Sequence, residues 1–136
     1  MGELAAYLAG LFDGEGCITI GTSRDTPKGK TRHSLRVQLR MAHKKSVYTF
    51  FETYGGHLYE HPNQYGKHVL YTWTLHGVNA KPFLEDILPY SIAKSEVIAL
   101  ALQFLTTITG SRNLSQDIID QRQHIRNEIQ RLNQLD

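Results

Sequence analysis

Glu15 is the residue of this chain best placed to do chemistry. It stands between Gly14 and Gly16 at the end of the stretch Leu8-Ala9-Gly10-Leu11-Phe12-Asp13-Gly14-Glu15-Gly16, with a second carboxylate, Asp13, two residues earlier. Carboxylate oxygens are hard donors that favour Mg²⁺ or Mn²⁺ over zinc. One carboxylate is a poor cage for such an ion, so further ligands must come from elsewhere. Ala6, Gly10 and Gly14 recur every fourth residue and leave one helical face almost without side chains, while Leu4, Leu8, Leu11 and Phe12 load the other side. Such a stripe lets two helix backbones approach closely. The chain holds one copy of the segment, so the second helix is expected from a second chain, bringing a second Glu15 to a shared metal site.

The elements that must position this segment follow from periodicity and breakers. A helix over 3–14, closed by Gly14 and Gly16, leads into a strand beginning Cys17-Ile18-Thr19-Ile20 and a basic loop, Thr26-Pro27-Lys28-Gly29-Lys30. Residues 33–42 alternate, with Leu35, Val37, Leu39 and Met41 facing one way and Ser34, Arg36, Gln38 and Arg40 the other. Lys44–Tyr54 returns to helical period and stops at Gly55-Gly56. Two strands, 57–61 and 67–75, flank the loop around Asn63 and Gly66, and Asn79 is expected to cap a helix running to Leu88. Pro89 breaks that helix. An apolar helix follows over about 92–107, and a last one from Ser115 sets Ile118, Ile125, Ile129 and Leu132 on one side. Paired strands with short connections predict an α+β fold, αββαββα, with a four-stranded antiparallel sheet, helices over one face and extra C-terminal helices.

Composition narrows the class. The 136 residues, 40% hydrophobic and 21% charged, are expected to form one soluble domain, with a core over about 4–105 and a helical extension over about 111–136. A single cysteine, Cys17, excludes a disulfide framework. The start of the chain lacks the basic residues of a signal peptide and no apolar run reaches membrane-spanning length. The expectation is therefore an intracellular protein, from the cytoplasm of a bacterium or phage-infected cell or from an organelle, with no membrane partner. Net charge is only +2, but residues 24–45 carry eight basic residues against one acid, and residues 1–16 carry three acids and no base. A basic segment beside an acidic centre suits a polyanion, and double-stranded DNA is the expected partner rather than a small molecule.

The nonapeptide at 8–16, the strand-to-helix segment ending in Gly55-Gly56, the strand Tyr71-Thr72-Trp73-Thr74-Leu75, and Leu88-Pro89-Tyr90 followed by Lys94 together resemble the LAGLIDADG homing endonucleases, in the same order along the chain. The resemblance covers roughly 4–105 and does not reach 106–136. It implies a saddle-shaped sheet in the major groove of a long pseudo-palindromic site, a homodimer packed through the motif helices, and metal-dependent hydrolysis of both strands that leaves short 3′ overhangs. It implies Glu15 as the catalytic metal-binding acid, with Gly14 beside it at the metal, and Lys94 next to the scissile phosphate. Ala6, Gly10, Leu11, Asp13 and Gly14 fall to the dimer seam, with Asp13 also structural at the helix end. Lys45 is a candidate for a second basic group. Where family members often carry a polar residue contacting active-site water, this chain has Met41-Ala42-His43, so His43 or Gln38 would have to substitute.

Strand alternation assigns the DNA-reading surface. Thr19, Gly21 and Ser23 with Ser34, Arg36, Gln38 and Arg40 are expected to face the groove, where arginine forks onto guanine and glutamine onto adenine. Tyr59, His61 and a face of 69–74 including Tyr71 and Trp73 are expected to continue it. Arg24, Lys28, Lys30 and Arg32 are expected to hold phosphates. Among rival readings, a zinc site at His57, His61 and His68 lacks cysteine partners or an HExxH helix. Gly14-Glu15-Gly16 lies after a helix and before a strand, the reverse of a nucleotide loop. The alternative that stands is a LAGLIDADG protein that binds nucleic acid without cutting, an intron-RNA maturase or a DNA-binding regulator.

Overall fold

The computed structural model describes residues 2–24, 27, 29–62, 69–108 and 114–135. The elements run α1 (Gly2–Glu15), β1 (Gly16–Ser23), β2 (Arg32–Met41), α2 (Lys44–Tyr54), β3 (His57–Pro62), β4 (Val69–His76), a 3₁₀ turn (Gly77–Ala80), α3 (Lys81–Ile87), a second 3₁₀ turn (Leu88–Tyr90), α4 (Ser95–Thr106) and α5 (Gln116–Asn133). The four strands form one antiparallel sheet in the order β1-β2-β4-β3. The expected α+β architecture is the one observed.

Register explains how one face of the sheet becomes core. Ile18 lies opposite Val37, Ile20 opposite Leu35, and Val37 and Leu39 opposite Leu75 and Trp73. All of these are buried, and the helices cover them. Trp73 is the centre of the arrangement, with the Phe50 and Phe83 rings each 5.0 Å away and its indole N–H donating to the Gly55 carbonyl at 2.7 Å. Gly56 makes that approach possible. Its φ of +98° lies in the left-handed region, and a Cβ there would sit 2.5 Å from the Thr74 carbonyl oxygen.

Several boundaries differ from expectation for local reasons. The first helix continues through Gly14 to Glu15, because the break comes at the turn into β1. Asn79 falls inside the 3₁₀ turn, and α3 begins behind Ala80 with Pro82 in its first turn. The fourth helix begins at Ser95 rather than near 92, because residues 91–94 wrap around a side chain of α1. On α5 the buried row is Ile119, Arg122, Ile125 and Ile129, so Ile118 gives way to Ile119. Arg122 is buried without a carboxylate, and burial draws its pKa down. Its guanidinium donates instead to the hydroxyl and carbonyl oxygens of Thr107, at 2.9 and 2.8 Å. Further along α5, Arg126 Nε donates to the Ile20 carbonyl at 2.9 Å and Asn133 to the Ile18 carbonyl at 3.0 Å, which seats the helix along β1. Gly110 lies outside the described residues.

Candidate active site and nucleic-acid interface

Glu15 is the last residue of α1 and is exposed. The chain turns from helix into strand over the Phe12 ring, and a Cβ on Gly16 would lie 2.3 Å from that ring, so the glycine is required for the turn itself. Two residues before Glu15, the Asp13 carboxylate gathers four donors. Oδ2 accepts from the backbone N–H of Ile92 at 2.7 Å and of Ala93 at 3.1 Å; Oδ1 accepts from the Lys94 N–H at 3.2 Å and from the Ser91 hydroxyl. Partial burial alone would raise the Asp13 pKa, but these hydrogen bonds to the charged form outweigh it and hold the carboxyl below its ordinary value. The same clamp returns the Lys94 ammonium to α1, where Nζ donates to the Asp13 carbonyl at 3.0 Å. Lys94 is thereby fixed two residues from Glu15, although 79 positions separate the two in sequence.

This geometry gives Asp13 a structural task at the end of α1, whatever it meets at the seam. Its carboxylate is turned onto residues 91–94 of its own chain, because the N–H groups ahead of α4 need an acceptor that no side chain at the helix start provides. Ala6, Gly10 and Gly14 by contrast lie exposed, and a Cβ added at Gly10 or Gly14 would meet nothing within 4 Å. Packing within the chain therefore leaves room for a Cβ at either glycine. Leu11 is half-buried against the core, and Leu4, though 41% exposed near the helix start, keeps to the expected side beside Tyr54 and Tyr90 of its own chain. Tyr7 is 52% exposed.

Among the described residues no three His, Cys, Asp or Glu side chains group to hold a metal ion. One chain offers one exposed carboxylate at a helix C-terminus, where the unpaired carbonyls also favour a cation. A single carboxylate with Gly14 beside it is a hard donor but not a complete site for a divalent ion.

The remaining candidates at this end of the sheet are less closely joined. Gly16 pairs with Leu39, so β2 runs out to Met41 beside the start of β1 and delivers His43 and Lys45 to the same end. The His43 ring is committed to α2. Its Nδ1 is 2.7 Å from the Ser46 hydroxyl and accepts from the Ser46 N–H at 3.3 Å, so only Nε2 is left for another partner. His43 thus caps α2 through one ring nitrogen, and the other stays open to the water contact expected of it. Lys45 is exposed in the first turn of α2 and no hydrogen bond joins it to Glu15 or Lys94 among the described residues.

The second face of the sheet is polar. Opposed pairs share a face, so Cys17 with Gln38, Thr19 with Arg36, Gly21 with Ser34 and Ser23 with Arg32 lie together on one side. Arg40 joins them opposite Thr72, to whose hydroxyl its Nε donates at 3.2 Å. Tyr59 lies opposite Thr72 and His61 opposite Leu70, which puts both on this side too. Trp73 and Tyr71 are on the other. Trp73 is fully buried in the core, and Tyr71 packs edge-on against Tyr48 of α2. Both are corrected: the parity of β4 puts Thr72, Thr74 and His76 on the polar face instead. His57 was also missed, and its ring lies 5.8 Å from His76 and 6.4 Å from Tyr59. The signal for both was present, since a tryptophan between two threonines fixes which parity is core.

Of the loop cations, Arg24 bonds Thr31 and Lys30 donates to the Leu114 carbonyl at 2.6 Å. Arg32 is exposed at the end of β2. Lys28 lies outside the described residues, as does His68. No described helix is long and apolar enough to cross a membrane.

Residues 8–90 match the sequence profile described as LAGLIDADG endonuclease. No curated protein sequence matches the chain. Among solved structures, the homing endonuclease I-CvuI in complex with its target in the presence of Ca superposes with a TM-score of 0.77 at 16% identity, over 96% of this chain and 82% of that one. The archaeal intron-encoded homing endonuclease I-Vdi141I complexed with DNA gives a TM-score of 0.77 at 16% identity, over 94% and 82%. The LAGLIDADG homing endonuclease I-SmaMI bound to cleaved DNA gives 0.68 at 15% identity, over 90% of this chain and 42% of that longer one. At these identities the likeness is one of fold.

Proposed function

The chain belongs to the LAGLIDADG endonuclease family, and from that premise we propose that it is a site-specific DNA endonuclease that works as a homodimer. It would hydrolyse both strands of a long pseudo-palindromic site and leave short 3′ overhangs. The observation that carries the reading is the joining of Lys94 to the last turn of α1, which fixes an ammonium beside the exposed Glu15. The open stripe of Ala6, Gly10 and Gly14 supports the second copy that a one-carboxylate site needs.

Each residue then has a defined task. Glu15 holds the divalent ion, Mg²⁺ or Mn²⁺, which when bound supplies Lewis-acid polarisation of the phosphate. Lys94 opposes the charge that develops on the phosphoryl oxygens and orders the solvent around them. Asp13 positions Lys94. Arg36, Gln38 and Arg40 read base edges, with the exposed His76 alongside, while Arg24 and Arg32 hold backbone phosphates.

The alternative, a non-cleaving nucleic-acid binder such as an intron-RNA maturase or a DNA-binding regulator, is favoured by one feature: His43 is turned to Ser46 where the family often has a polar group on active-site water. A selection for cleaved sites from randomised duplex DNA in Mg²⁺ separates the two. The wild type should yield a defined site, and Glu15→Gln should cut it at least about 100-fold more slowly, a loss of about 3 kcal/mol, while still binding it. Undiminished cutting by Glu15→Gln removes the assignment, and binding without cutting by the wild type favours the alternative.

A further inference from the structure

The end of β1 far from Glu15 meets the C-terminal helix in a cavity of about 440 Å³, lined by Thr22, Ser23, Arg24, Thr31, Gln123 and Arg126. Two guanidiniums, a carboxamide and three hydroxyls line it, and among the described residues no carboxylate does. Each guanidinium is oriented through one nitrogen only: Arg24 Nε donates to the Thr31 hydroxyl at 3.3 Å and Arg126 Nε to the Ile20 carbonyl at 2.9 Å. Neither makes another hydrogen bond among the described residues. That leaves both pairs of terminal –NH₂ groups, a preset fork suited to two oxygens of one phosphate. Gln123 is held between His33 and Asn127 and keeps one amide N–H in reserve. Lys30, bonded to the Leu114 carbonyl, ties the start of this segment to the hairpin.

From this we infer that α5 and the β1–β2 hairpin together form a phosphodiester-binding site for the DNA flank; the inference rests on duplex DNA being the substrate. Among the described residues the fork has no other partner. Two of the six lining residues, Gln123 and Arg126, lie beyond the 8–90 family match, so that match does not assign the site. Its place sets the contact. β1 runs from Gly16 to Ser23, seven steps or about 23 Å, which corresponds to about seven base pairs outward from the inner end. The site would fix the duplex at its flank without reading sequence.

The test is the salt dependence of duplex affinity, measured for the wild-type dimer, Arg126→Gln, Arg24→Gln and Asn133→Ala on duplexes shortened stepwise from their ends. Each arginine variant should flatten the slope of log affinity against log salt by about 0.9 per phosphate, hence about 1.8 for the dimer, and leave the ranking of target sequences unchanged. Shortening the duplex past the flank should erase the difference. Asn133→Ala breaks a bond from α5 to β1 outside the cavity and should keep the wild-type slope. Wild-type slopes in both arginine variants overturn the inference, and so does an equal flattening in Asn133→Ala, which would mark a loosened helix. Failure of the wild type to bind any duplex counts against the proposed function itself.

Discussion

The two ends of β1 are held by opposite arrangements. At the inner end Asp13 satisfies four donors from residues 91–94, and the Lys94 ammonium is tied back to the Asp13 carbonyl, so nearly every polar group is anchored on backbone. At the outer end Arg24 and Arg126 are each anchored by one nitrogen and keep their forks. The difference matches two kinds of work. A group that meets a reacting phosphate must be held to a fraction of an ångström, whereas a group that only grips the backbone of a duplex tolerates sliding and gains from reach.

That comparison can be broken in three ways. The largest effect is expected from Lys94→Ala, which should slow cleavage by about 100-fold or more with affinity for the site nearly kept. Single-turnover cutting at saturating enzyme measures it, and a rate within threefold of wild type would reduce the inner end to a mere turn. Next come the glycines on either side of Glu15. Gly16→Ala should cost about 1–3 kcal/mol in urea unfolding, because its Cβ enters the Phe12 ring. Gly14→Leu adds a Cβ that meets nothing in its own chain and should leave the fold intact while light scattering reports monomers. A stable dimer of Gly14→Leu would separate the stripe from association.

The smallest effect concerns pH. The Asp13 pKa is lower folded than unfolded, so its contribution is complete above the unfolded value, about 3.9, and is lost as pH falls through the folded one. Wild type should therefore lose stability below about pH 4 with a component that Asp13→Asn lacks, seen by comparing thermal unfolding of the two across acid pH.

Much of this was legible in the residues. The alternation of Leu35, Val37 and Leu39 is strict and gave the sheet its faces, and Gly55-Gly56 ended α2 where expected. The small-residue stripe could be counted directly. Other features were illegible because they are contacts over long sequence separations. The partners of Asp13 lie some 80 positions away, and the delayed start of α4 follows from the same contact. On β4 the parity was legible, because a shift of one inverts the two faces and only one of them puts Trp73 in the core. On α5, Ile118 and Ile119 are equally apolar, and only the seating of Arg126 and Asn133 on β1 decides between them.

The seating of α5 has a consequence for solubility. A strand at the border of a sheet offers unpaired backbone groups that recruit strands from other molecules and seed aggregation. Here the outward carbonyls of Ile18 and Ile20 are already taken by Asn133 and Arg126, and the opposite border strand, β3, ends at Pro62, which has no N–H to offer. With these carbonyls taken, the β1 border offers an incoming strand fewer of the acceptors it would need.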